Sequence, residues 1–98
     1  MKVIIKKPNE TYGTETEIEN KLKDLQKVVG GCIETFPVND KILIICNGEG
    51  KIMGLPYNLT INNEPLMGTI IVVGDTGDDF TDIPITMDEW KKIVDKEN

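Results

Sequence analysis

The 98-residue sequence carries 11 lysines against 17 carboxylates, a net charge of −6, and contains no His, Arg, Ser or Ala. Without imidazole, guanidinium or a serine hydroxyl it lacks the groups for serine-hydrolase and Cys/His catalysis and for a bidentate grip on phosphate, so no enzyme and no cofactor are expected. A chain this short forms one domain, and no stretch approaches the roughly 20 apolar residues of a bilayer span, so a cytoplasmic location is expected.

From the start, MKVIIKK is rich in Val and Ile and predicts a first strand that stops before Pro8, with a turn at PNE and a short return strand in ETYGT. A flat first strand at a sheet edge would offer a route to a homodimer. TETEIENKLKDLQKVVGG then predicts a helix. Thr16 and Glu19 have capping-box spacing, Ile18, Leu22, Leu25 and Val29 make one apolar stripe, and Gly30 suits a left-handed stop. Such a stripe ordinarily covers a sheet.

Beyond the helix the apolar period falls to two. CIETFPV and KILIIC, separated by a turn at Asn39 and Asp40, predict an antiparallel hairpin, and the unbroken run at 42–46 predicts a strand buried on both faces. Cys32 and Cys46 lie inside these runs and read as free thiols, since two cysteines so spaced make no zinc site and a cytoplasm disfavours a disulfide.

CNGEGKIMGLPYN, residues 46–58, has the glycines of a phosphate-binding loop. Loops of that kind lead from a strand into a helix N-terminus, and here Gly50 and Lys51 are followed by Ile52 rather than Ser or Thr. NGEG instead predicts a tight hairpin turn at Asn47 and Gly48, with KIMGL running on as a strand to Pro56. Gly54 within that strand marks a bulge or a close backbone approach, which either aims Tyr57 and Asn58 into a cleft or is an ordinary strand exit. The cleft would be lined by Asn47, Glu49, Lys51, Tyr57 and Asn58, groups suited to a small polar ligand.

YNLTINNEPLM reads as a loop with NLTI as a brief edge strand, and GTIIVVGD predicts the last strand. DTGDDFTDIP reads as an acidic connection. Asp75, Asp78 and Asp79 fall within five positions but lack EF-hand spacing, so they predict a solvated turn rather than a metal site. Residues 1–55 hold eight lysines and eight acids and residues 56–98 three lysines and nine acids, which places the whole excess charge in the second part. Such a surface repels nucleic acid and suits a basic protein surface or a small molecule. TMDEWKKIVDKEN predicts a short terminal helix with Thr86 and Glu89 as a capping box and Met87, Trp90, Ile93 and Val94 on one face. The order of elements gives one α+β domain over residues 1–98: an antiparallel-dominated sheet, one covering helix and a short C-terminal helix.

In VGGCIETFP, CNGEGKIMGLPYN and GTIIVVGDTGDDF the chain resembles the domain-of-unknown-function family 3846, small proteins of phages and bacterial mobile elements. The resemblance runs from about residue 25 to residue 80. Its motifs fall on Val29, Gly30 and Gly31, on Ile33 and Glu34, on residues 46–51 and 54–58, and on Gly68 through Phe80. Members often carry a basic residue after the Asn of the Gly-Leu-Pro motif, where this chain has Leu59. The family has no agreed activity. The resemblance implies a phage or prophage setting in a bacterial host, where small accessory proteins without catalytic equipment act by binding a host factor. The expected function is therefore non-enzymatic binding of a host protein, counter-defence among the roles open to it, through the acidic part around Asp75 and Asp79. The alternative is capture of a small polar metabolite or signalling nucleotide in a cleft near residues 47–58.

Overall fold

The computed structural model describes residues 1–98, in the order β1 (Lys2–Lys6), β2 (Thr14–Glu17), α1 (Leu22–Val29), β3 (Ile33–Pro37), β4 (Ile42–Asn47), β5 (Tyr57–Ile61), β6 (Glu64–Met67), β7 (Ile70–Asp75), β8 (Phe80–Thr81) and α2 (Met87–Glu97). The main sheet runs β2-β1-β7-β4-β3 with β8 attached to β7, and β5 and β6 form a separate hairpin. Every pairing is antiparallel.

β4 and β7 have apolar side chains on both faces, so the sheet must be covered twice. On one face Val3, Ile45, Ile71 and Val73 pack against Leu25 and Val29 of α1. On the other, Ile4, Ile42, Ile44, Ile70 and Val72 pack against Leu59, Ile61 and Leu66 of the small hairpin and Trp90 and Val94 of α2. The α+β architecture is as the sequence predicts, built as three layers. Trp90 is fully buried, and its Nε1–H donates to the Tyr12 carbonyl at 2.8 Å. The Thr86–Glu89 capping box is present in full at the start of α2.

Four local readings change. Thr16 does not cap a helix: Thr14–Glu17 is a strand laid along β1, with Val3 opposite Thr16, and α1 starts later, with Lys21 as an N-cap that makes no side-chain bond. TETE alternates with a period of two, and the free edge of β1 offers it a full ladder that outweighs the cap. Consequently β1 is an interior strand between β2 and β7, so it is not the edge through which two copies would pair. The edges are β2, whose four residues are all exposed and include Glu15 and Glu17, and β3, which ends in Pro37. Like charges and a proline are both devices against edge pairing. NLTI is one strand of a hairpin rather than a lone edge, because Asn62 and Asn63 (φ 50° and 67°) make a two-residue turn of the kind that closes such hairpins. The fourth change, at residues 48–55, belongs to the candidate site.

β7 changes neighbours along its length. Ile70, Ile71 and Val72 pair with Lys6, Ile5 and Ile4, whereas Gly74 and Asp75 pair with Thr81 and Phe80. The residues after β8 then close against the start of β1: Ile83 N donates to the Lys2 carbonyl and Lys2 N to Asp82 Oδ1, each at 2.8 Å. Gly74 sits where these strands crowd, and a Cβ there would collide with the Asp82 carbonyl oxygen and the Thr81 methyl.

Candidate functional site

The residues singled out in the sequence fall in three separate places. Asn47 ends β4, and its side chain is consumed by the fold. Nδ2 donates to the Val29 carbonyl at 3.2 Å and touches Met53 Sδ at 3.6 Å, while Oδ1 accepts from Glu49 N at 2.8 Å. Residues 48–55 form neither a hairpin tip nor a strand. Met53 N donates to Glu49 O, Gly54 N to Lys51 O and Leu55 N to Gly50 O, the pattern of one helical turn closed by a Schellman cap with Gly54 at φ 69°. The two chain ends of this turn lead to different layers, so no strand continues through it.

This turn holds Ile52 86% exposed and Met53 53% exposed. Behind it lies a cavity of about 160 Å³, bounded by Glu34, Cys46, Asn47, Lys51, Glu64 and Met67 among others. Lys51 Nζ meets Glu64 Oε2 at 3.1 Å across the exposed side. Burial, with the Glu34 and Glu64 carboxylates adding to it, pushes the Cys46 thiol above its usual 9.0. A thiol so shifted is held protonated, the wrong direction for a nucleophile. Glu49 is not part of the cavity wall.

Tyr57 and Asn58 belong to a second depression, of about 730 Å³, between β5, the loop after β1 and the last turn of α2. Asn58 is buried and fully bonded. Its Nδ2 donates to the Lys6 and Gly68 carbonyls at 2.8 and 2.9 Å, and its Oδ1 accepts from Lys6 Nζ at 2.7 Å. Tyr57 is half exposed, its hydroxyl bonded to Thr60 Oγ1 at 2.7 Å and Asn98 Oδ1 at 3.3 Å. Lys6 is the residue that sequence reasoning missed. It shares a strand face with Ile4, so its inward direction follows from the period of two, but only the layer packed on that face reveals that its amine is buried.

Asp75 and Asp79 lie at the far end of the sheet, since Ile42 at the start of β4 faces Gly74. A strand the length of β4 spans about 17–20 Å. Asp75 Oδ1 accepts from Gly77 N at 2.8 Å, and Asp79 Oδ1 from Phe80 N at 2.7 Å and Asn20 Nδ2 at 3.3 Å, so both carboxylates shape their own loop. No group of three or more His, Cys, Asp or Glu is placed to hold a metal ion. The sequence-predicted cleft of Asn47, Glu49, Lys51, Tyr57 and Asn58 is therefore not one concavity: Asn47 and Lys51 border one hollow, and Tyr57 and Asn58 another.

The motif residues converge on the connection at 47–58. A Cβ on Gly31 would stand 2.9 Å from Asn47 Nδ2, Gly68 N donates to the Pro56 carbonyl at 2.7 Å, and the Gly68 carbonyl accepts from Asn58. The profile described as Domain of unknown function (DUF3846) matches residues 1–95. The chain belongs to that family. The match extends well beyond residues 25–80, taking in β1, β2 and most of α2, so the whole three-layer arrangement is the family's domain. No curated protein and no solved structure matches the chain.

Proposed function

We propose that this chain is a non-catalytic accessory protein of a phage or mobile element that binds a host protein in the bacterial cytoplasm, counter-defence being one role such binding would serve. The observation that carries the reading is the turn at 48–54. It is pinned by Asn47 and by its own cap, yet presents Ile52 and Met53 to solvent. A turn pinned in this way that displays two large apolar side chains loses little entropy on binding and supplies apolar surface that a pocket on a partner would bury. The carboxylates at 75–82, at the other end of the sheet, act at longer range by steering a basic partner.

Capture from a bacterial lysate tests it, comparing the wild type with Ile52→Asp. Because Ile52 makes almost no packing contact, the variant is expected to fold with a stability within about 0.5 kcal/mol of the wild type and to lose about 2 kcal/mol of partner affinity. Recovery of the same partners in the same yield by both proteins would sink the proposal. The alternative of a captured nucleotide loses support at the cavity behind this turn, because about 160 Å³ is well below the ~300–1,000 Å³ of ordinary ligand pockets.

A further inference from the structure

Lys6 is 2% exposed, and its ammonium meets only the neutral oxygens of Asn58, Oδ1 at 2.7 Å and the carbonyl at 3.5 Å. No carboxylate lies within ion-pair distance of it; the one ion pair in the chain joins Lys51 to Glu64. A buried charge with no carboxylate in direct contact, and with Glu10 offsetting only part of its burial, is costly, and an anion arriving from outside would relieve that cost. Lys6 and Asn58 border the depression of about 730 Å³, which lies in the size range of small-molecule sites. Its other border groups include Glu10, Asp95 and Glu97. A simple anion would face these three carboxylates, and a simple cation would face the lysine.

We infer that this depression is a binding site for a small zwitterion, a compound with a carboxylate at one end and an ammonium at the other. The carboxylate is received by Lys6, whose amine has donor capacity left beyond Asn58. The ammonium is received by Asp95 and Glu97. Asp95 already accepts from the Tyr12 hydroxyl at 2.7 Å and Glu97 from Asn62 N at 2.6 Å, so each is held in place with one oxygen free. This site is independent of Ile52 and of the proposed host contact.

The test titrates the full chain with a homologous series of amino acids, glycine, β-alanine, γ-aminobutyrate and ε-aminocaproate, with propionate and propylamine as half-ligands. Binding is read by calorimetry and by the NMR signal of the Asn58 side-chain amide. One chain length is expected to bind best, to move that amide signal, and to weaken about tenfold or more in Lys6→Met. Asp95→Asn with Glu97→Gln keeps the acceptors that Tyr12 and Asn62 N use, and is expected to weaken the amino acid by a similar factor while propionate, freed of two repelling charges, binds at least as well as to the wild type. If Lys6→Met fails to fold, the rim variant alone decides. Absence of binding across the series, propionate binding as tightly as the best amino acid, or unchanged binding in the rim variant would each overturn the inference.

Discussion

At the scale of single residues, the asparagines and the one buried lysine do most to define the 47–58 region. Asn47 ties the end of α1 to the turn after β4, and Asn58 ties β1 to the small hairpin through bonds to Lys6 and Gly68. Burial pushes the Lys6 amine below the usual 10.5, and the Glu10 carboxylate offsets part of that. The unfolded chain keeps this proton up to about 10.5, whereas the folded chain releases it earlier, so between the two values the unfolded state holds more protons and stability rises with pH. Below the folded value the cost of the buried charge is present in full. Urea unfolding of the wild type and Lys6→Met, from neutral pH to 10.5, is therefore expected to show the wild type gaining on the variant as pH rises. The Cys46 thiol and the Tyr12 phenol, both shifted upward, lose stability with rising pH, but they do so in both proteins and cancel in the comparison. A flat difference would mean that Lys6 titrates as it does in the unfolded chain. Asn47 and Asn58 stood out in the sequence because they adjoin breaks in strands. They adjoin breaks because they stitch them, a role that polarity alone does not separate from ligand binding.

Among the elements, those legible in the sequence have a local cause. β4 and β7 follow from unbroken apolar runs, the β3–β4 hairpin from Asn39, whose Oδ1 accepts from Lys41 N and Ile42 N, and α2 from its capping box. The misread elements are those where one local pattern serves two structures. Thr16 with Glu19 fits a cap and TETE fits a strand; the free edge of β1 decides. A left-handed Gly54 fits a bulge and a helical stop, and the layer change between β4 and β5 decides. The junction of β7, β8 and β1 was not legible, because it depends on partners far apart in the chain. Its sensitive point is Gly74, where a methyl would strike the Asp82 carbonyl. Gly74→Ala is expected to cost about 1–3 kcal/mol. Loss of amide-exchange protection at Lys2 and Ile83 before the rest of the sheet would accompany it. An unchanged urea midpoint would show that the junction yields freely.

For the whole molecule, the net charge of −6 and its placement set the field that a charged partner of the proposed kind would meet. The carboxylates of Asp75, Asp78 and Asp79 border one exposed depression, about a strand's length from Ile52. Changing Asp75, Asp78, Asp79 and Asp82 to Asn preserves the acceptor oxygens that Gly77, Phe80 and Lys2 use while removing four charges. Association with a basic partner is expected to slow and to lose much of its dependence on salt, with dissociation little changed. Stopped-flow association rates at two ionic strengths check this; a rate that keeps the wild-type salt dependence would assign the steering to other carboxylates.

The neighbour order β2-β1-β7-β4-β3 has a consequence for how the molecule is made. As the chain leaves a ribosome β1 and β4 both precede β7, yet β7 separates them in the finished sheet and supplies the middle of both apolar faces. Until residue 75 has emerged, the amino-terminal hairpin and the β3–β4 hairpin have nothing between them to join, and α1 has only part of its seat. The two halves of the main sheet are thus committed to joining in one step, when β7 arrives.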